Sequence, residues 1–389
     1  MKIAFITTQS LLQSTVVGRI LPVAKELGKM GNEVTILVHE EVSSPQSSSQ
    51  GRGNDPVGVR TVLIGHNPFT RTESGKKRKS GFALLFLMFS NALRGLQALL
   101  NIHPDVIVIV KPLPENVFAV SLVRLLLPRA SIVLDVDDFE LFANVVSSLP
   151  ERAVLHWAER RASKMAQHII AATPFLADHM RAIAQKDVPI TLIPTGLSID
   201  TAIQQNNSHV IAYIGSVSAS SGHLVFMLPE ILQHVRKEFS DATILIAGSG
   251  DDEQELRKLF SEKNLESCVE WFGRFSDEDI PQIISKTSVI VDPIDDSIVN
   301  RAKSSYRAML ACSSALPVVT SNIGIRPIVI PEVLHSRFFA DVGNSSDYAK
   351  RITDLFQYPL SEEDKKALRD KSQEYSYQKT AELYYNCLV

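Results

Sequence analysis

Short runs rich in valine and isoleucine alternate along this chain with stretches whose apolar residues recur at helical spacing. The opening run KIAFIT, residues 2–7, is followed by residues 16–29, in which apolar side chains recur every three or four positions. This alternation is typical of βαβ units, in which helices join parallel strands. It predicts an α/β fold built on doubly wound parallel sheets.

Two series of such strands are predicted. The first series comprises residues 2–7, 33–38, 60–64, 105–110, 131–135, 168–172 and 190–193. The second begins at 209–214 and continues at 242–247, 268–272, 288–292 and 317–320. Because 389 residues also exceed one ordinary core, we expect two Rossmann-like domains. Their sheets should face each other across a cleft at the carboxyl ends of the strands, where ligands bind in this architecture.

A polar, turn-rich segment from Thr195 to His209 separates the two series and reads as a linker. We predict an N-terminal domain over residues 1–200 and a second domain over 201–370. The closing segment, 371–389, is helical and aromatic-rich with no strand after it. We expect it to pack back on the N-terminal domain.

The composition excludes several classes of protein. A formal net charge of -3 argues against binding to nucleic acid, which needs a basic face. Three widely spaced cysteines fit neither a metal site nor a disulfide framework, which favours a reducing cytoplasm. The N-terminal apolar run is too short for a signal peptide. No stretch is expected to reach the length and purity of a membrane span, the nearest being 82–100.

Three cations crowd ahead of an apolar run in NRAKSSYRAMLACSSALPVV. On a helix starting near Arg301, Lys303 and Arg307 would share a face. Ser304 and Ser305 would lie in its first turn, where backbone N–H groups are free to bind an anion. The stretch predicts a phosphate clamp, and the alternative is a solvated cationic helix end.

Carboxylates crowd after another predicted strand, in VLDVDDFE. Asp135, Asp137 and Asp138 follow a buried run at the edge where ligands bind. One of them could orient a hydroxyl or accept its proton. The alternatives are a magnesium site, which prefers carboxylates, and a cap for the following helix. Lys111, at the end of the neighbouring strand, is placed to face the same edge.

Several further stretches, in this order and spacing, resemble one enzyme family. They are RILPVAKELGKMGNEVTILV, HPDVIVIV, ATPFLADHM, LIPTGLSID, IAYIGSV, ATILIAGSGDDEQEL, VEWFGRFSDEDIPQIISKTSVIVDPI, ALPVVTS and YSYQKTAELYY. Together they resemble the GT-B glycosyltransferases, closest to the retaining family 4 group that includes sucrose and mannosyl transferases. The resemblance covers nearly the whole chain.

The resemblance implies a function for each domain. The C-terminal domain would bind a nucleotide-diphosphate sugar, and the N-terminal domain would bind a glycan or lipid-linked acceptor. The sugar would be transferred with retention of configuration, with no metal ion or other cofactor. Polysaccharide or glycolipid assembly in the cytoplasm is the implied setting.

Carried onto this chain, the resemblance assigns the donor site. Its candidate residues are Gly215, Ser216, Gly248, Gly250, Arg274, Asp295, Asp296, Arg301, Lys303, Ser304, Ser305 and Arg307. The chain departs from the family at Ser216 and Ser221, where members carry an arginine and a lysine, and at Leu310, where they carry an acid. A helix that begins near His223 would still offer backbone N–H groups to a phosphate.

On the acceptor side, the loop after the first strand is longer and more polar than in the family, and Arg19 is expected to reach an anion. The acceptor-binding candidates are Ser14, Thr15, Gly18, Arg19, Lys111 and Asp135. The catalytic candidates are Asp137, Asp138, Lys303 and Arg307.

A basic tetrapeptide, Lys76 to Lys79, directly precedes the apolar stretch 82–100. Such a pairing favours an anionic membrane surface, so residues 76–100 are a candidate for peripheral binding on the inner face of the membrane. The alternative is a basic loop followed by a core helix.

Two other functional classes stay open. Because the donor site lacks the arginine, the lysine and the acid of the family, the chain could also be a catalytically silent relative that binds nucleotide or glycan. A sugar-nucleotide epimerase of the same fold is the third reading, and it lacks the clustered histidines and carboxylates that its chemistry requires.

Overall fold

The computed structural model divides the chain into two compact units. Unit 1 comprises Met1–Gly196 and Tyr377–Val389, and unit 2 comprises Leu197–Ser376. The structure describes residues 1–11, 13–40, 59–67, 69–72, 75–79, 81–143, 148–197 and 208–389, with backbone alone for 69–72, 75–78 and 142–143.

Unit 1 is built on a seven-stranded parallel sheet in the order β3-β2-β1-β6-β7-β8-β9, with a separate antiparallel pair, β4-β5. Its strands are β1 (Lys2–Ile6), β2 (Glu33–Glu40), β3 (Val59–His66), β4 (Phe69–Thr72), β5 (Gly75–Arg78), β6 (Val106–Val110), β7 (Ser131–Val136), β8 (His168–Ala171) and β9 (Ile190–Leu192).

Among the described residues, six helices connect these strands. They are α1 (Leu21–Lys29), α2 (Gly81–Ile102), α3 (Pro114–Leu126), α4 (Glu140–Ala143), α5 (Leu149–Met165) and α6 (Pro174–Ile183). A π-helical turn, Val16–Ile20, precedes α1. Prolines at the first positions and capping hydroxyls begin several of them: the Thr173 hydroxyl, for example, accepts a hydrogen bond from the N–H of Leu176 at the start of α6.

Unit 2 is built on a five-stranded parallel sheet in the order β12-β11-β10-β13-β14. Its strands are β10 (Val210–Ile214), β11 (Thr243–Ala247), β12 (Val269–Gly273), β13 (Val289–Asp292) and β14 (Val318–Thr320). Its helices are α7 (Leu228–Val235), α8 (Glu253–Glu262), α9 (Ile280–Lys286), α10 (Ile298–Ala302), α11 (Tyr306–Ser313), α12 (Arg326–Val329), α13 (His335–Phe338), α14 (Ser345–Gln357) and α15 (Glu362–Gln373).

The central strands of both sheets are buried apart from the first residues of β1 and β10, as expected for parallel sheets covered on both faces. The near-continuous apolar runs of the sequence therefore become strands, each within two residues of its predicted bounds. The predicted fold of two Rossmann-like domains is confirmed. The antiparallel pair β4-β5 was not predicted, because its basic, glycine-containing sequence lacks an apolar alternation.

The last helix, α16 (Tyr377–Leu388), belongs to unit 1 and packs against α1. Unit 2 continues to Ser376, six residues beyond the predicted end of the second domain at 370. The predicted linker from Thr195 to His209 lies mostly outside the described residues, which resume at residue 208.

The expectation that no stretch reaches the length and purity of a membrane span was wrong. By length and composition α2 is apolar enough to cross a membrane. One of its faces packs in the unit, however: Leu84, Ala92 and Leu99 are buried, and Asn91 hydrogen bonds to both backbone groups of His66. The polar Asn91 that interrupts the run in sequence thus faces inward, as in a core helix.

Candidate functional site

Each sheet reverses its strand order once, and such a reversal opens a crevice at the carboxyl ends of the two strands beside it. In unit 2 the reversal lies between β10 and β13, and in unit 1 it lies between β1 and β6. Most of the candidate residues follow these strands or their neighbours. The two sites are described separately.

Asp292, the last residue of β13, is the centre of the unit 2 site and is fully buried. Its carboxylate accepts hydrogen bonds from Arg307 Nε at 2.6 Å and Arg326 Nε at 2.8 Å. The hydroxyls of Ser305 and Thr320 donate at 3.2 and 3.3 Å. Burial alone would raise the pKa of Asp292, but the two arginines outweigh it and hold that pKa far below its ordinary value.

Arg307 is fixed on every side. Its NH1 donates to the carbonyl of Ile214 at 2.9 Å, at the end of β10, and its NH2 lies 2.7 Å from Nδ1 of His223. The guanidinium also stacks over the ring of Tyr213, 4.6 Å from its centroid. Burial opposes the charge, yet Asp292 keeps the pKa of Arg307 raised. Arg307 therefore joins the ends of β10 and β13 as a permanent cation.

The unit 2 cluster holds more positive than negative charge. Two buried arginines, Arg307 and Arg326, share the single carboxylate of Asp292. The buried NH1 of Arg326 has no hydrogen-bond partner. Lys303 is half-buried nearby, and no carboxylate pairs with its ammonium in the part of the chain that the structure describes. A buried surplus of positive charge favours an anionic ligand.

Glycines bring the backbone ends of β10 and β11 into direct contact. A Cβ on Gly248 would lie 1.8 Å from the carbonyl oxygen of Gly215, and one on Gly250 would lie 2.0 Å from that of Val217. Gly248 also has a φ of +144°. Arg274, which is exposed, donates to Ser249 Oγ at 3.0 Å and so closes this turn from the side of β12.

The predicted single helix through the three cations is absent. Instead α10 ends at Ala302, Lys303 is extended, and α11 begins at Tyr306. The cause is a serine cap: Ser305 Oγ accepts from the N–H of Ala308 and restarts the helix. Lys303 and Arg307 therefore do not share a helix face. Half-buried Ser304 lies between the two helices.

Other donor-site candidates are engaged internally. Ser305 is buried and donates to Asp292, and exposed Arg301 forms a two-point ion pair with Asp296 at 2.6 and 2.8 Å. Asp295 accepts from Asn300 Nδ2 at 2.6 Å, which fixes its loop. Contrary to the prediction, Arg301 therefore does not join the buried cluster around Asp292.

Two of the residues that depart from the family pattern, Ser216 and Leu310, lie in different surroundings. Ser216 is exposed, and Leu310 is fully buried and reaches no surface. The helix predicted to begin near His223 starts two residues after it, as a 3₁₀ turn, Val225–Met227, that leads directly into α7 at Leu228. His223 itself pairs with Ile294 in an isolated β-bridge.

In unit 1, the side chain of Lys111, the residue directly after β6, lies close to three carboxylates. Lys111 has a φ of +63°, an unusual conformation for a residue with a Cβ. Its ammonium lies 3.5 Å from Asp137, 3.7 Å from Asp138 and 3.2 Å from Glu140. Burial would lower the pKa of Lys111, but these carboxylates raise it well above its ordinary value. Lys111 is therefore charged at any physiological pH.

Asp137 also accepts a hydrogen bond from Thr15 at 2.9 Å, which ties the loop before α1 to the end of β7. Ser14 beside it is exposed, and the carbonyl of half-buried Gly18 accepts from Tyr377 of α16. The partly exposed carboxylates of Asp137 and Asp138 can accept a hydrogen bond from a hydroxyl. Within the described ranges, no three His, Cys, Asp or Glu side chains are grouped so as to hold a metal ion.

Arg19 and Asp135 do not face a ligand, contrary to expectation. Both are buried, and Arg19 donates to Asp135 at 2.7 Å and to the carbonyl of Ile193 at 3.0 Å. Tyr384 of α16 completes the cluster by donating to Asp135 at 2.7 Å. This neutral, closed cluster anchors the C-terminal helix, so its role is structural.

Sequence reasoning missed three residues of unit 2. Arg326 is not among the predicted site residues, although it is a lone cation after the predicted strand 317–320. Asn300 is buried and bonds the carbonyl of Gly222 at 2.7 Å. Asp292 was read only as the end of a strand. A charged residue that closes an otherwise apolar run is a detectable signal of a buried ion pair.

Comparison with known families assigns both units. A family model described as "Glycosyl transferase 4-like domain" matches residues 15–196, in unit 1. A second, described as "Glycosyl transferases group 1", matches residues 208–358, in unit 2. A curated relative, spore coat protein SA of Bacillus subtilis, is 28% identical over 189 residues, which are 44% of this chain and 46% of that protein. The match thus spans less than half of that relative.

Solved structures share the whole fold. Sucrose-phosphate synthase from Thermosynechococcus elongatus has a TM-score of 0.73 at 15% identity, with 99% of this chain and 98% of the other covered. HepE of Anabaena in complex with UDP has a TM-score of 0.69 at 14% identity, covering 100% and 99%. With both family models matched in sequence, this chain belongs to the GT-B glycosyltransferases.

Proposed function

We propose that the chain transfers a sugar from a nucleotide-diphosphate donor to a glycan or lipid-linked acceptor, with retention of configuration. The observation that carries the proposal is the surplus positive charge around Asp292, at the strand reversal of the unit that matches the group 1 family. Unit 2 then binds the donor, and unit 1 binds the acceptor.

The chemistry requires charge at the leaving group. As the bond between sugar and diphosphate breaks, negative charge grows on the diphosphate, and fixed cations that meet this charge lower the barrier. Arg307 and Arg326 are held in place by Asp292, so little reorganisation is needed. Lys303, with no carboxylate partner in the described part of the chain, is placed to contact the phosphates directly. These cations supply the role that a metal ion fills elsewhere, so we propose a metal-independent reaction.

The acceptor hydroxyl is proposed to meet Asp137 and Asp138. The ammonium of Lys111 lies 3.5 and 3.7 Å from these two carboxylates and fixes their positions. One of them can accept a hydrogen bond from the attacking hydroxyl and orient it.

A lipid-linked acceptor is favoured by the outer face of α2. Phe82 and Phe86 are 90% and 76% exposed, and Leu85, Phe89 and Leu93 extend the same stripe at helical spacing. A contiguous exposed apolar face of this kind fits a membrane surface or a partner. We propose peripheral binding at the cytoplasmic face of the membrane. Of the adjoining basic residues, Lys79 is exposed, and the side chains of 76–78 lie outside the described residues.

Replacement of Lys303 by alanine tests the donor site. We expect at least a tenfold loss of nucleotide-sugar affinity, about 1.4 kcal/mol, measured by titration calorimetry. Lys350→Ala, which removes the same charge from an exposed position of α14, is the control and should leave affinity unchanged. Equal affinity in wild type and Lys303→Ala would contradict the proposed role of Lys303.

A catalytically silent relative is the second candidate. It is favoured by fully buried Leu310, which stands where family members carry an acid. Hydrolysis of a panel of nucleotide sugars separates the two. Slow release of sugar from any donor supports an enzyme, and binding without release supports the silent relative.

A further inference from the structure

His223 lies between the two strands that flank the reversal in unit 2. Its backbone pairs with Ile294, and the N–H of Leu224 donates to the carbonyl of Pro293 at 2.9 Å. These contacts hold the segment after β10 against the segment after β13. His223 is half-buried in this position.

Arg307 determines which nitrogen of His223 carries hydrogen. Its NH2 lies 2.7 Å from Nδ1 and 3.5 Å from Nε2. A guanidinium can only donate, so we assign the nearer nitrogen, Nδ1, as the acceptor and place the hydrogen on Nε2. Because Arg307 is itself fixed by Asp292 and the carbonyl of Ile214, this tautomer is built into the site.

The surroundings keep the ring neutral. Burial and the charges of Arg307, Lys303 and Arg326 lower the pKa of His223 to about 3, against the opposing effect of Asp292. The ring of Tyr213 lies edge-on, with 6.4 Å between centroids. The result is a neutral N–H donor surrounded by cations, a combination suited to a phosphate oxygen rather than to a cation or a carbonyl.

We infer that His223 Nε2–H donates a hydrogen bond to a phosphate oxygen of the sugar donor and positions the diphosphate beside Arg307 and Lys303. The inference rests on the proposed function. At positions 216 and 221 this chain has serines where family members carry an arginine and a lysine. In this proposal His223, oriented by Arg307, makes a phosphate contact in place of those two missing cations.

Two substitutions test the donor role. Glutamine can accept from Arg307 through Oε1 and donate through Nε2, whereas alanine can do neither. Binding of UDP, GDP and ADP, and of the three parent nucleosides, is measured by calorimetry for wild type, His223→Gln and His223→Ala. His234→Ala, on α7 outside the cluster, is the control.

For the diphosphate that wild type binds best, we expect His223→Ala to lose at least tenfold in affinity and His223→Gln to stay within threefold of wild type. Affinity for the parent nucleoside should not change, whereas the unfolding midpoint of His223→Ala should fall, because the buried guanidinium of Arg307 loses an acceptor. The ratio of wild-type to His223→Ala affinity should stay constant from pH 8 to 5.5, because the ring is neutral throughout.

Three results overturn the inference alone: unchanged affinity in His223→Ala, equal losses in both variants, or a ratio that rises below pH 6.5 as it would for an imidazolium. If wild type binds none of the three diphosphates, the proposed function fails and the inference fails with it.

Discussion

Replacing Asp292 by asparagine removes the carboxylate that Arg307 and Arg326 share. Each carboxylate oxygen now accepts from one guanidinium Nε, at 2.6 and 2.8 Å. The asparagine amide has a single oxygen, so its NH₂ group must face the other N–H. Two buried guanidinium groups are then left without a counter-charge, which costs about 3–5 kcal/mol.

That loss should lower the unfolding midpoint of unit 2 by about 6–20 °C, at about 2–4 °C per kcal/mol for a unit of this size. The chain has two tryptophans, Trp157 in unit 1 and Trp271 in unit 2. In a Trp157→Phe background, which alters a side chain that is 47% exposed, the fluorescence of Trp271 reports unit 2 alone.

The loss should also depend on pH in a defined direction. The pKa of Asp292 is depressed in the folded unit, so its stabilisation is complete well above the unfolded pKa of about 3.9. It is lost as pH falls below that value, and the difference between wild type and Asp292→Asn should shrink there. Asp296→Asn, which breaks an exposed ion pair, should leave the midpoint unchanged at any pH. A loss under 1 kcal/mol at neutral pH would refute the account of a buried, charge-compensated cluster.

Two further predictions concern unit 1. Burial, and to a smaller extent His66, lower the pKa of His39 from 6.5 to about 4. Because the unfolded chain binds the proton at a higher pH than the folded chain, the free energy of unfolding of unit 1 should fall by about 2 kcal/mol between pH 7.5 and 5. In urea titrations followed by Trp157 fluorescence, His39→Leu should flatten this dependence of the stability of unit 1 on pH. The control His156→Gln, at an exposed position, should leave the dependence as it is. An unchanged pH dependence in His39→Leu would contradict the argument. Phe82→Ser with Phe86→Ser should reduce sedimentation with anionic phosphatidylglycerol vesicles at least tenfold, since each buried phenylalanine contributes about 2 kcal/mol. Val333→Ser in unit 2, a residue 73% exposed, is the control, and undiminished sedimentation of the double variant would exclude this face.

The fold could be predicted from sequence because parallel strands are buried on both faces. Runs such as VIVIV in β6 and TILIA in β11 are apolar throughout, and no alternative element accommodates them as well. The antiparallel pair β4-β5 lacked that signal. The break between α10 and α11 was missed because serines were weighed as phosphate ligands, whereas Ser305 acts as a helix cap.

The sites were predictable only in their location. The carboxyl ends of strands could be found from sequence, but which charges pair there depends on contacts between distant residues. Arg326 is 34 residues from Asp292, and Arg19 is 116 from Asp135. Pairing with Asp135 removed Arg19 from the candidate ligands, and pairing with Asp292 made Arg307 part of a fixed cluster. Sequence spacing carries no information on such distances.

The most direct test of the central claim is a crystal structure of the chain with the nucleoside diphosphate that it binds best. We expect the phosphates at the reversal between β10 and β13, with oxygens at hydrogen-bond distance, about 3 Å, from Lys303 Nζ and His223 Nε2. Phosphates bound at any other place on unit 2, or on unit 1, would contradict the claim.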